Sequence, residues 1–277
     1  MPLQNEHALP PRPILRWIGG KQFLVARLLD MVPALGSRAT YFEPFVGAGS
    51  LFFALAPEIA VLGDANPHLI DLYRNLARAP ERFIASFRKL AASDSELDYY
   101  RVRDEFNAGR SSTVRAARLL YLNRTCFNGV FRVNRAGKFN VPYGHKARPV
   151  FPSREELLAA AGALSKVQFV AASFEKSVRH AKRGDFVYLD PPYPPLSGTS
   201  FFTHYTVDRF TEFDQLALAD CFAELHGRGC KLLMSNADTP FIRSLYARYA
   251  TRKLSVIRWV SSASAKNRVR ELIVSNY

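Results

Sequence analysis

The stretch Asp185-Phe186-Val187-Tyr188-Leu189-Asp190-Pro191-Pro192-Tyr193 decides how the rest of the chain is read. A short run rich in β-branched and aromatic residues, closed by a carboxylate and two prolines, predicts a buried strand that stops abruptly. Asp190 then stands at the carboxyl end of that strand, the edge at which open α/β sheets bind ligands because the loops there converge on a crevice. Pro191 and Pro192 carry no amide hydrogen and have a restricted φ, so the Pro191 carbonyl can be held outward rather than drawn into a helix. A carboxylate, a fixed carbonyl and the aromatic face of Tyr193 are thus presented together. They suit a flat heterocycle carrying an amino group, since two acceptors can take its two N–H bonds while the ring is stacked. Taken alone, the same residues also read as an ordinary turn after a core strand.

A second stretch shifts that balance. Thr40-Tyr41-Phe42-Glu43-Pro44-Phe45-Val46-Gly47-Ala48-Gly49-Ser50 reads as a strand, a Gly-x-Gly turn and the start of an apolar helix. Glycines there let a ligand approach the backbone, and a helix start offers free N–H groups. The pattern is not the dinucleotide fingerprint, because the position three after Gly49 is Phe52. Another short apolar run, Val61-Leu62-Gly63, leads to Asp64, placed to accept hydrogen bonds from ribose hydroxyls at the end of a second strand.

A chain of 277 residues that is 48% hydrophobic has room for one large α/β domain with a smaller inserted or appended one. The net charge of +14 points to a polyanionic partner, of which nucleic acid is the commonest. That charge is localised: between Arg101 and Arg148 there are eleven Lys or Arg residues against two acids, Asp104 and Glu105. Cys126, Cys221 and Cys230 show neither paired nor metal-ligand spacing, so they read as reduced thiols, with no metal site and a cytoplasmic setting. None follows a proline as the nucleophile of a covalent cytosine-C5 mechanism would. Met1 to Pro13 is polar and Pro-rich, a flexible arm rather than a signal peptide. No apolar run approaches membrane-spanning length, and no obligate protein partner is indicated.

Along the chain, Gly19-Gly20 opens onto Lys21 and an amphipathic helix through Phe23, Leu24, Leu28 and Leu29, ending before Pro33. Trp17 suits cofactor contact or core packing equally. From Asn66 to about Thr125 four helical segments succeed one another and break the strand-helix alternation, marking residues 68–145 as a candidate insert between parts at 1–67 and 146–277. Within it Asn128-Gly129 and Ala136-Gly137 are turn signals, and Val130 to Arg135 alternates like a hairpin strand. A basic hairpin can read a major groove, or be merely a solvated loop. Strands follow at Val167 to Ala172 and Lys231 to Asn236. Helices follow at Thr211 to Leu225 and Pro240 to Tyr249, and two strands at Arg252 to Trp259 and Glu271 to Asn276 flank a basic turn at Ser264 to Arg268. Pro195 to Tyr205 reads as a mobile flap whose Phe201, Phe202 and Tyr205 could cover a base.

Four motifs now stand in order: Arg16-Trp17-Ile18-Gly19-Gly20-Lys21, Glu43 to Gly49, Tyr121-Leu122-Asn123-Arg124 through Asn140-Val141-Pro142-Tyr143-Gly144, and Asp190-Pro191-Pro192-Tyr193. Together they resemble the DNA adenine methyltransferase (Dam) family, over nearly the whole chain from about Arg12 onward. The resemblance implies an open Rossmann-like seven-stranded methyltransferase sheet with an inserted helical and hairpin recognition domain. It implies methyl transfer from S-adenosylmethionine to the N6 of adenine in double-stranded DNA, with a flipped base and no metal. Catalysis would fall to Asp190, Pro191, Pro192 and Tyr193. Cofactor binding would fall to Trp17, Lys21, Glu43, Phe45, Gly47, Gly49, Asp64, Phe174 and Asp190, with Lys21 near the methionine carboxylate. DNA contacts would fall to Arg16, Arg124, Phe127, Asn128, Val130, Arg132 and Pro142, at GATC. The family commonly has Tyr where Phe127 stands and Leu where Val130 stands, so a hydroxyl is lost and an apolar contact shrinks. An RNA adenine-N6 methyltransferase would share the catalytic strand, and comparing methyl incorporation into duplex DNA and RNA separates the two. A DNA-binding relative without catalysis would transfer no labelled methyl; Asp190 and the Gly-x-Gly turn speak against it. The Asn and Ser variants of the Pro-Pro-Tyr motif differ at the first residue, and Asp190 favours adenine over cytosine-N4.

One consequence is testable at the glycine turn. Gly47→Val should weaken S-adenosylmethionine binding by at least about tenfold, because a branched side chain there blocks the approach to the backbone. Calorimetric titration giving an unchanged affinity would refute the placement of the cofactor.

Overall fold

Phe186, Val187, Tyr188 and Leu189 are fully or almost fully buried, and alternate residues enter different cores: Phe186 and Tyr188 one, Val187 and Leu189 the other. A strand wetted on neither face belongs in the middle of a parallel sheet. The computed structural model places it there. It describes residues 9–93, 95–145, 149–193, 210–259 and 266–277, the side chains of 256–259 and 266–269 excepted.

The strands β1 (Tyr41–Glu43), β2 (Ala60–Asp64), β3 (Val167–Ala171), β4 (Phe186–Leu189), β5 (Lys231–Ala237), β6 (Ala250–Trp259) and β7 (Lys266–Ser275) form one sheet in the order β3-β2-β1-β4-β5-β7-β6. β1 to β5 are parallel, while β7 runs antiparallel to both β5 and β6. The sheet is therefore the seven-stranded α/β sheet expected. Strand order reverses between β1 and β4, which pair through Tyr41 with Phe186 and Phe42 with Val187. That reversal opens a crevice beyond their carboxyl ends, so the glycine turn after β1 and Asp190 after β4 are neighbours by topology.

The helices are α1 (Val25–Leu29), α2 (Ser50–Leu55), α3 (Pro67–Arg78), α4 (Pro80–Ala91), α5 (Glu96–Ala108), α6 (Thr113–Thr125), α7 (Arg154–Leu164), α8 (Phe174–Val178), α9 (Glu212–Gly227) and α10 (Pro240–Leu245). The four helical segments expected between Asn66 and Thr125 are α3 to α6. Side-chain caps start three of them: Asn66 accepts from His68 and Leu69, Ser95 from Asp98, and Ser112 from Arg115. One apolar cluster runs from Tyr41 and Leu62 on the sheet through Leu69, Phe87 and Leu120 to Phe139 and Tyr143, so these helices and one sheet face share a core. The other face is covered by α8, α9 and α10 through Phe174, Leu218, Phe222 and Ile242.

Several boundaries differ from the reading of the sequence. α10 stops at Leu245, not Tyr249, because Tyr246 and Tyr249 both turn in against Phe222, at ring separations of 5.4 and 4.7 Å. α7 carries a capping box, Ser153 with Glu156, a signal legible in the sequence but passed over. The expected hairpin strand is a loose hairpin, bridged only at Cys126–Tyr143 and Val133–Phe139. β7 begins earlier than Glu271, at Lys266, shortening the expected turn. The flap at 195–205, most of the N-terminal arm and the first part of that turn lie outside the described residues.

Asp185 clips the entry of β4. Its carboxylate is 2% exposed and accepts the Thr40 and Lys182 amides, each at 2.9 Å. Asp185→Ala should lower the unfolding free energy by about 2 kcal/mol, since two amides lose a charged acceptor. Urea unfolding of the variant measures it, and a change below about 0.5 kcal/mol, the scale of an inert surface substitution, would refute the role.

Candidate active site

Asp190 stands where β4 ends, its side chain 17% exposed. One carboxylate oxygen, Oδ1, receives two donors: Lys21 Nζ at 2.7 Å and Ser235 Oγ at 2.8 Å. Burial pushes Asp190 above the usual carboxylate range, while Lys21 and then Ser235 pull it back. Lys21 is itself 4% exposed, donates to the Gly19 carbonyl at 3.0 Å and lies 4.6 Å from the centre of the Tyr193 ring. The two prolines are held from behind: Gln215 on α9 donates to the Pro192 carbonyl at 3.3 Å and accepts from Asn236 at 3.0 Å.

Beside this lies the turn after β1. Gly47 and Gly49 have φ of +45° and +68°, conformations that favour glycine. The Gly47 amide donates to Asp64 at 3.1 Å, and Asp64 also accepts from Asn66 at 2.9 Å, so the carboxylate expected at the end of β2 braces the turn. Tyr73 donates to the Gly47 carbonyl at 2.8 Å from the other side. A Cβ on Gly47 would come within 2.9 Å of the Trp17 ring, so the first obstacle to a side chain there is the indole. Trp17 also stacks on Phe131 at 5.9 Å, which makes it both packing residue and wall of the turn.

Glu43 is 3% exposed and accepts from Tyr41 at 2.9 Å. Burial pushes it up to about 8, and Asp64 up to about 6. Burial thus disfavours the charged form of Glu43, whose negative neighbours are Asp190 and Asp64. Phe45 stacks on Phe174 at 5.4 Å and meets Phe210 edge-on at 5.8 Å, forming an aromatic wall. The sequence pointed to Phe45 and Phe174; Phe210, which packs against both, stands alone in sequence and gave no such signal.

The hairpin residues form a separate, connected surface. Phe127, Asn128, Arg132 and Pro142 are exposed, with Val130 half-buried beside them. Asn128 has φ of +54°, the Phe127 amide donates to the Pro142 carbonyl at 3.0 Å, and Arg132 grips Asn140 through Nε at 2.8 Å and Nη2 at 3.2 Å. Arg16 is tied to this surface through Asn123, which accepts its amide at 2.8 Å and donates to its carbonyl at 2.7 Å and to that of Gly129 at 3.0 Å. Asn123, buried and lying inside a motif, was not singled out from the sequence. Arg124 stands apart: its guanidinium clamps the Ile14 carbonyl at 2.9 and 2.5 Å, and burial lowers it to about 10. Its geometry secures the N-terminal segment rather than facing outward. The basic run is likewise partly spent internally, with Arg101 and Arg118 on Glu105 and Arg115 folded over Phe106.

Among the described residues no helix is long and apolar enough to cross a membrane, and the three cysteines are buried and form no disulfide. The model of the D12 class N6 adenine-specific DNA methyltransferases matches residues 17–261. The Type II methyltransferase M1.LlaDCHI of Lactococcus lactis subsp. cremoris is 37% identical over 284 residues, covering 100% of this chain and 99% of the relative. The DNA adenine methylase of Escherichia coli (strain K12) is 36% identical, covering 95% and 94%. The Type II methyltransferase M.MjaIII of Methanocaldococcus jannaschii is 33% identical, covering 96% and 99%. With the carboxylate, the two prolines and the glycine turn at one switch point, this chain belongs to the D12 class of N6 adenine-specific DNA methyltransferases and is an adenine-specific DNA methyltransferase.

Proposed function

We propose that this enzyme methylates the N6 of adenine at GATC in duplex DNA, using S-adenosylmethionine, after the target base has swung out of the helix. One observation carries the reading: a single segment joins the exposed hairpin to the carboxylate, with Arg16 bonded to Asn123 at one end and Lys21 bonded to Asp190 at the other. Base readout and chemistry then share one rigid support. Residues 68–145 would read the DNA, and the parts on either side would hold cofactor and flipped base.

The residues fit the cofactor. Among the described residues Ser50 Oγ and Asn66 Nδ2, buried at the glycine turn and the end of β2, have no hydrogen-bond partner, and a bound ligand would satisfy them. Lys21, Glu43, Gly47, Gly49 and Asp64 would hold it with Trp17, and Phe45 and Phe174 would offer a flat apolar wall. When bound it supplies a methyl group on a positively charged sulfur that departs as a neutral thioether.

The rest falls to the protein. An adenine amine is a weak nucleophile because its lone pair is delocalised into the ring. Asp190, through Oδ2, and the Pro191 carbonyl would each accept one N–H, which favours a pyramidal nitrogen with its lone pair aimed outward. Tyr193 would stack on the base, and Pro192 fixes the chain between carbonyl and ring. The methylated amine must lose one proton, and a carboxylate raised by burial is a better acceptor for it. Extracting the base costs about a few kcal/mol, offset by contacts to the vacated duplex in which Phe127 would stack and Asn128, Val130 and Pro142 would line the groove.

Arg132 would read the duplex. Asn140 holds its Nε side, which turns the Nη1–Nη2 edge outward as a pair of donors matching O6 and N7 of guanine. Arg132→Ala should cost about 1 to 3 kcal/mol of discrimination at one base pair. Catalytic efficiency on duplexes with one substituted base pair each measures this, alongside sequencing of methylated positions in cells expressing the chain. Uniform loss on every duplex would make Arg132 a positioning contact, and methylation mapped to a motif other than GATC would overturn the site.

A further inference from the structure

Asp190 has two carboxylate oxygens, and among the described residues both of its side-chain donors fall on the same one. Lys21 Nζ and Ser235 Oγ lie at 2.7 and 2.8 Å from Oδ1. Ser235 is wholly buried on β5, and the pairing of Leu189 with Met234 puts it opposite Asp190 on the neighbouring parallel strand. Its hydroxyl is in turn 2.9 Å from the phenol of Tyr188, two residues before Asp190 on β4 and also buried. An ionised carboxylate can only accept, so the Ser235 proton points to Asp190 and the Ser235 oxygen accepts from Tyr188. The chain of bonds therefore has one direction: Tyr188 to Ser235 to Asp190.

From this geometry we infer that Ser235, backed by Tyr188, is a positioning residue for methyl transfer. By occupying Oδ1 together with Lys21, it stops the carboxylate from rotating about its Cβ–Cγ axis and keeps Oδ2 turned to the substrate amine. Lys21 supplies charge, but a single flexible ammonium fixes a distance and not a plane. The hydroxyl arrives from the sheet, from a strand that cannot shift without breaking its ladder, and it supplies the second point that defines the plane. A misaimed acceptor leaves binding intact and slows the reaction, since the alignment matters in the transition state. The inference rests on Asp190 as the acceptor of the amine, an assignment that is read from variants of Asp190 itself.

The test uses the full-length enzyme on a duplex carrying the target site. Ser235→Ala should lower kcat by about tenfold to a hundredfold, the worth of one hydrogen bond to a charged group. KM for DNA and cofactor should stay within about twofold, because neither ligand is touched by Ser235. Tyr188→Phe, isosteric at its buried site, should lower kcat by about threefold to tenfold. In the Ser235→Ala background it should lower kcat no further, because its effect passes through the missing hydroxyl. A Ser235→Ala enzyme with wild-type kcat overturns the inference and leaves the role of Asp190 standing. So does a Tyr188→Phe loss that multiplies fully onto Ser235→Ala, or a loss confined to KM.

Discussion

A carboxylate held nearly out of water at the end of a strand is costly unless an opposite charge and hydrogen bonds meet it. Asp190 is met by Lys21 at 2.7 Å, and much of the local architecture follows from bringing that ammonium there. Lys21 lies far from β4 in sequence, so the N-terminal segment has to cross the switch point between β1 and β4. Gly19, with φ of +81°, makes the turn that delivers it, and a Cβ on Gly20 would press to 3.1 Å on the Trp17 carbonyl. The pair also sets the charge balance. Lys21 offsets the charge of Asp190, burial disfavours the charged form of Glu43, and Asp64 is met by the amides of Gly47 and Asn66.

The crossing segment ties the functional surfaces together. Arg16 is stitched to Asn123 much as one strand is to another, Trp17 stacks on Phe131 of the hairpin and walls the Gly47 turn, and Lys21 ends on Asp190. The hairpin itself has few ladder bonds and depends on the helices behind it: Asn107 holds Phe139 through both of its backbone groups, and Tyr99 donates to Val141. Its exposed side chains are thereby presented from a fixed base.

The parts of this structure that depend on local pattern were legible in the sequence. The buried strand before Asp190, the glycine turn, Asp64 and the helices α3 to α6 follow from apolar runs, breakers and caps close to one another in the chain. The parts that depend on long-range pairing were not. Nothing in the residues around Lys21 says that its ammonium meets Asp190, or around Ser235 that it sits opposite, because both require the strand order. Arg124 reads from the sequence as a DNA contact, and nothing near it in the chain says that its guanidinium clamps the Ile14 carbonyl. The charge excess between Arg101 and Arg148 overstated the exposed positive surface for the same reason, since a count of basic residues does not reveal which of them fold back on Glu105 or Phe106.

Under the proposed function one carboxylate, Asp190, makes the decisive contact with the substrate amine. The most direct measurement is single-turnover methyl transfer by Asp190→Ala on a GATC duplex at saturating DNA and cofactor. The rate should fall by at least about a thousandfold, roughly 4 kcal/mol in the barrier. Duplex affinity should remain within about threefold of wild type, because the proposed DNA contacts lie on other elements. A rate within about tenfold of wild type, a barrier change of only about 1.4 kcal/mol, would contradict it.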